Sequence, residues 1–78
     1  MAIKNNDLEK KALLKLGKHI RDVRKARDLS QEKLAEEMGV HRTYIGMIER
    51  GEKNPTYITI LRLACALKIS ISELVKNE

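Results

Sequence analysis

The sequence predicts an all-α fold. Across the first third of the chain, apolar residues recur at helical spacing, among them Leu16, Ile20 and Val23, with charged residues between them. Farther along, four residues that can cap a helix each follow an apolar residue and precede another by four places, which is the hydrophobic-staple pattern. No segment alternates apolar and polar residues over a length useful for a strand. These observations predict five short helices joined by short turns.

The first helix is predicted over Leu8–Ala26, because no proline interrupts its period. Residues 1–7 lack periodicity and are expected to form a flexible arm ahead of a single domain over 8–78. The later helices are predicted to begin after the capping residues Ser30, His41, Thr56 and Ser70. Between the second and third helices, Gly39 suits a tight turn because glycine adopts positive φ at no steric cost.

Composition narrows the function classes. The 78 residues suffice for one small domain, and their net charge of +5 is compatible with a polyanionic partner. Only two aromatic residues occur, Tyr44 and Tyr57, which argues against a stacking platform for single-stranded nucleic acid. A lone cysteine, Cys65, excludes an internal disulfide, and neither a signal peptide nor a membrane span is apparent. We therefore expect a cytoplasmic protein.

The third predicted helix carries the functional hypothesis. Ile45 and Ile48 are expected to face the core. The residues left on the opposite side, at spacings i, i+1, i+4, i+5 and i+8, are Arg42, Thr43, Gly46, Met47 and Arg50. An exposed stripe of this composition suits the floor of a DNA major groove, where arginine contacts guanine with two hydrogen bonds and threonine offers a hydroxyl and a methyl group.

Several segments resemble the Cro/phage-repressor (XRE-type) helix-turn-helix family. They are Leu29–Ala35, Gly39-Val40, the residues Ile45, Ile48, Glu49, Arg50 and Gly51, and Asn54-Pro55. Within that family, the run from Arg42 to Gly46 is most similar to the controller proteins of restriction–modification systems. The resemblance implies a five-helix, lambda-repressor-like domain that docks its third helix in the major groove as a two-fold dimer.

The resemblance also implies roles for individual residues. Gln31 would bond a phosphate, and Arg24 would form a partly buried structural pair with Glu49. The implied base contacts are Arg42, Thr43, Gly46 and Met47. The residues implied to line the groove and hold backbone phosphates are Tyr44, Arg50, Lys53 and Asn54.

Two positions depart from the family pattern. His41 stands where the pattern usually has Ser, Thr or Asn, so it either caps the third helix or faces a phosphate or base. Gly46 lies inside a helix, where glycine costs about 1 kcal/mol relative to alanine. Either the groove floor comes too close for a side chain there, or the glycine is merely tolerated.

The end of the chain is predicted to form a dimer seam. Its members are Leu67, Ile69, Ile71, Leu74 and Val75. A two-fold interface uses one patch twice, so a small apolar surface suffices. The alternative is that these side chains all belong to the core of the monomer.

The sequence thus predicts a DNA-binding transcriptional regulator that acts as a homodimer on an inverted-repeat operator in double-stranded DNA. The expected biology is autoregulatory control of a restriction–modification operon, with RNA polymerase as a candidate further partner. No enzymatic activity, cofactor, metal or small-molecule ligand is expected, because the hydroxyl and histidine residues lack triad-like or metal-ligand spacing. An antitoxin, a phage-type repressor and a protein-interaction module are the alternatives.

Overall fold

The computed structural model describes residues 5–76, and every regular element within them is a helix. The elements are α1 (Asn5–Ala26), α2 (Gln31–Met38), α3 (Arg42–Glu49), α4 (Tyr57–Leu67) and α5 (Ile71–Leu74). The predicted all-α class is confirmed.

Local sequence signals determine where the later helices begin. The Ser30 hydroxyl accepts a hydrogen bond from the Lys33 amide at 2.9 Å, which satisfies an amide that has no partner within the helix. The Thr56 and Ser70 hydroxyls cap α4 and α5 in the same way. Gly39 ends α2 in the left-handed conformation, with φ of 70°, so the chain turns at once into α3.

Helix α1 begins at Asn5, three residues before the predicted start at Leu8. Residues 5–7 therefore belong to the helix and not to an arm, whereas the rest of the arm predicted over 1–7 lies outside the described residues. Asp7 lies in the first turn, where a carboxylate interacts favourably with the helix dipole. Apolar periodicity marks the helix face that packs, and polar residues can extend a helix beyond it.

An apolar core joins all five helices. Its fully covered large side chains are Ile20, Leu34, Ile45, Ile48, Leu63, Leu67 and Leu74. Helix α3 packs between α1 and α2, while α4 packs against α2 and α5. The ring of His19 on α1 donates from Nε2 to the Glu73 carbonyl oxygen at 2.7 Å, which ties α5 to α1.

Burial overturns part of the predicted dimer seam. Leu67 and Leu74 have no exposed surface in the monomer. Ile69 and Ile71 are half-buried and pack against the same core, and Val75 is exposed. The prediction is wrong for Leu67 and Leu74, because a domain of this size needs these apolar residues of α4 and α5 to complete its own core.

Gly17 permits a close approach between α1 and α3. A Cβ atom on Gly17 would overlap the Ile48 carbonyl oxygen and lie 2.5 Å from that of Glu49. Both oxygens are backbone atoms at the end of α3, so they move only if the helix moves. The missing side chain therefore sets the distance between these helices.

We expect Gly17→Ala to lower the free energy of unfolding by about 1–3 kcal/mol, because the added methyl forces α1 and α3 apart. Gly46→Ala is the matched control, since there the methyl would meet the flexible end of Arg50 at 3.1 Å. That change should leave stability unaltered or raise it by up to about 1 kcal/mol. Urea unfolding measures both, and equal effects would contradict the packing described.

Candidate functional site

One face of α3 points away from the core. Ile45 and Ile48 are buried and hold the helix, whereas Arg42 and Thr43 are exposed on its first turn. Arg50, which caps the end of α3, is exposed as well. The helix thus presents polar and cationic groups along its length to an external partner.

Three residues predicted to contact DNA are more covered than expected. Tyr44 is half-buried and packs against the core, and Met47 is half-buried. Gly46 is buried beneath the side-chain ends of Gln31 and Arg50. The prediction that Gly46 is exposed is wrong, because spacing within one helix does not reveal which neighbouring side chains fold across it.

A buried ion pair fixes α3 to α1. Arg24 donates from Nε to Glu49 Oε2 at 2.7 Å and from Nη2 to Oε1 at 3.1 Å. Both side chains are almost fully covered. The remaining guanidinium nitrogen, Nη1, donates to the Leu29 carbonyl oxygen at 2.7 Å. The pair therefore also secures the connection between α1 and α2.

Gln31 extends this network to the exposed side of α3. Its Nε2 donates to Glu49 Oε1 at 3.0 Å, and its carboxamide lies beside Gly46. The phosphate contact implied for Gln31 stays a prediction. In the structure its side chain turns toward α3.

The loop after α3 carries further charge. Arg50 donates from Nε and Nη2 to the Glu52 carboxylate at 2.8 and 3.3 Å. This hydrogen bond holds the pKa of Glu52 below its ordinary value and raises the pKa of Arg50. The ion pair therefore persists at neutral pH and is lost only as pH falls through the lowered pKa of Glu52. Lys53 and Asn54 follow as exposed residues.

Glu52 was missed in the sequence analysis. Its position two residues after Arg50 was the available signal, because a carboxylate at that spacing in a loop can bond the arginine. Its effect is to neutralise one of the cations predicted to face DNA.

His41 caps α3. Its Nδ1 accepts a hydrogen bond from the Thr43 amide at 3.0 Å. A neutral imidazole that accepts at Nδ1 carries its proton on Nε2. The exposed ring therefore keeps one N–H donor beside the first turn of α3.

The described residues contain neither a cluster of metal-ligand side chains nor a membrane-spanning helix. Between residues 5 and 76, no group of three or more potential ligand side chains could hold a metal ion. No helix in that part of the chain is long and apolar enough to cross a membrane.

We expect Arg24→Ala and Glu49→Ala each to cost about 3–5 kcal/mol of stability, because each leaves its partner charge buried alone. The double variant should cost less than the sum of the single changes. Alanine changes at the exposed pair Lys18 and Asp22, whose charged atoms lie 3.2 Å apart, should have little effect. Unfolding measurements on the wild type, both single variants and the double variant test the coupling between Arg24 and Glu49. Losses of stability that simply add would contradict it.

Comparison with known proteins places this geometry in a family. A family model described as helix-turn-helix matches residues 20–74. The chain is 46% identical over 63 residues to the control protein C.SmaI of Serratia marcescens, covering 81% of this chain and 75% of that one.

Two solved structures are similar as well. The crystal structure of the restriction–modification controller protein C.AhdI from Aeromonas hydrophila superposes with a TM-score of 0.78 and 47% identity, over 80% of this chain and 94% of that one. The controller protein C.Esp1396I, solved as a tetramer with its natural 35 base-pair operator, matches with a TM-score of 0.71 and 30% identity, over 83% and 96% of the two chains. The chain belongs to the helix-turn-helix family and is similar to restriction–modification controller proteins.

Proposed function

We propose that this protein is a sequence-specific transcriptional regulator that controls a restriction–modification operon and binds an inverted-repeat DNA operator as a homodimer. The observation that carries the proposal is the exposed polar face of α3, held against the bundle by a buried ion pair. A helix fixed in this way enters a major groove without paying conformational entropy for its own ordering. DNA of the cytoplasm is the expected partner.

The base contacts we propose lie on the first turns of α3. Arg42 is exposed and would bond guanine with two hydrogen bonds, and the exposed Thr43 would contact a neighbouring base. Tyr44 and Met47, each half-buried, would contact DNA with their outer edges. His41 would donate its Nε2–H to a phosphate while Nδ1 continues to cap the helix.

The backbone contacts we propose follow α3. Lys53 and Asn54 are exposed in the loop and would hold phosphates, which fix register without carrying sequence information. Arg50 adds less to this attraction than its charge suggests, because Glu52 is bonded to it.

Of the predicted seam, only Ile69, Ile71 and Val75 keep exposed surface, and we propose that the dimer contact lies on α4 instead. The α4 face, defined as Tyr57, Ile58 and Leu61, exposes three large apolar side chains to 66%, 57% and 38% of their full areas. Adjacent exposed apolar residues mark interaction sites, and an isologous contact would bury this patch twice. The face begins eight residues after α3 ends. A two-fold contact between two such faces would therefore place the two α3 helices on either side of one symmetry axis.

Selection of bound DNA from a random pool tests the proposed function. We expect an inverted repeat whose half-sites lie about 10 base pairs apart, one turn of DNA. The selected sequence should occur upstream of genes for a restriction endonuclease and a methyltransferase. Enrichment of no sequence would contradict the proposal, and a toxin gene or a phage gene block next to the site would favour an antitoxin or a phage-type repressor.

Arg42→Ala should lower specific affinity by about 1–3 kcal/mol and relax preference at one base pair in each half-site. Lys53→Ala should weaken binding to all sequences and reduce the log–log salt slope by about one. Titrations of operator and random DNA at several salt concentrations separate these effects. A uniform loss for Arg42→Ala would show that it touches only phosphates.

Leu61→Asp should yield folded monomers with weakened operator binding, because it places charge in the α4 face. Leu74→Ala is the contrasting control. It should remain dimeric but lose about 2–5 kcal/mol of folding stability, since Leu74 is fully buried. Sedimentation at micromolar concentration measures assembly, and a dimeric Leu61→Asp protein would place the seam elsewhere.

Glu52→Gln should strengthen binding to random DNA and steepen the salt slope by about one, because it releases Arg50 toward a phosphate. Glu36→Gln is the matched control. It removes one carboxylate, so the net charge changes equally, from +5 to +6, and it breaks the Lys33–Glu36 pair on α2. Equal gains for the two variants would attribute the effect to net charge alone.

A further inference from the structure

Gly46 lies beneath two polar groups that come from outside its own helical turn. From the position where a Cβ atom of residue 46 would stand, Arg50 Nη1 is 3.1 Å away, Gln31 Oε1 is 3.6 Å away and Gln31 Nε2 is 3.8 Å away. The helix therefore offers no side chain of its own at this point of the stripe. A carboxamide and a guanidinium occupy the place instead.

Hydrogen bonds orient both groups. A carboxylate accepts hydrogen bonds only, so the bond from Gln31 Nε2 to Glu49 Oε1 determines which end of the amide is the oxygen. Glu49 is in turn held by Arg24. Arg50 uses Nε and Nη2 for Glu52, which leaves Nη1 as the part of the guanidinium beside Gly46.

Above Gly46, the polar atoms of Gln31 and Arg50 that are not already hydrogen-bonded are one acceptor and several donors, side by side. Gln31 retains Oε1 and one N–H, and Arg50 retains the N–H groups of Nη1. In the major groove, adenine presents a donor, N6–H₂, next to an acceptor, N7, whereas guanine presents two acceptors. The arrangement matches adenine, and against guanine it would set Gln31 Oε1 opposite another acceptor.

We propose that Gln31 and Arg50, lying over Gly46, form a composite contact that selects an A·T base pair in each half-site. This inference rests on the proposed function. It assigns Gln31 a base rather than a phosphate, because adenine would use both Oε1 and the remaining N–H of Gln31, whereas a phosphate would use only the N–H. It also gives Gly46 a role, since even a methyl group there would crowd Arg50 Nη1, which lies 3.1 Å from the position of that carbon.

Gln31→Met tests the contact because it keeps the length of the side chain and removes its polar atoms. We expect selection from a random pool to lose the A·T preference at one position in each half-site. Affinity for the wild-type operator should fall about tenfold, with the salt slope unchanged. Gly46→Ala should weaken the preference at the same position, without a lower melting temperature, because its methyl shifts Arg50 Nη1.

Lys53→Ala serves as the control that loses affinity without a change in the selected sequence. A Gln31→Met protein with a smaller salt slope and uniform loss would assign Gln31 to a phosphate and overturn the composite contact. An unchanged base preference, with only reduced stability, would overturn it as well by showing that Gln31 merely supports Glu49. In both cases an inverted repeat selected by the wild-type protein would leave the proposed function standing.

Discussion

The buried ion pair between Arg24 and Glu49 is the interaction on which the presentation of α3 depends. Its guanidinium uses Nε and Nη2 for the carboxylate and Nη1 for the Leu29 carbonyl, so α1, α3 and the chain entering α2 meet at one point. Two charges without water are stabilising only when their hydrogen-bonding groups find partners. Here no buried side-chain nitrogen or oxygen among the described residues lacks a hydrogen bond. The fully hydrogen-bonded network therefore fixes the orientation of α3 relative to α1.

Packing adds a second constraint at the same place. The backbone of α3 can approach α1 because Gly17 has no side chain, and that approach brings the end of α3, including Glu49, against α1. Close contact excludes water from the ion pair, which strengthens its electrostatic attraction. The ordered network continues outward through Gln31 to the surface of α3. Gln31, one of the residues that we propose to contact DNA, is thus an extension of the buried network.

Much of this protein followed from local sequence. A capping side chain satisfies an amide only a few residues away, so Ser30, Thr56 and Ser70 mark helix starts whatever the rest of the chain does. Apolar periodicity likewise marked Ile45 and Ile48 as the buried side of α3. The resemblance to a known family supplied the partners Arg24 and Glu49, which lie too far apart in the chain for spacing to connect them.

Tertiary structure alone decided the features that depend on several helices at once. Burial of Leu67 and Leu74 results from the packing of α4 against α2 and of α5 against α1 and α4. Periodicity cannot tell an apolar residue that completes a core from one that meets a partner. Gly46 looked exposed within α3 but is covered from outside that helix, by a side chain of α2 and by the residue that caps its end. The direction of Gln31 was likewise set by Glu49, eighteen residues away. Local hydrogen bonds are specified by neighbours in sequence, whereas burial and side-chain direction are specified by neighbours in space.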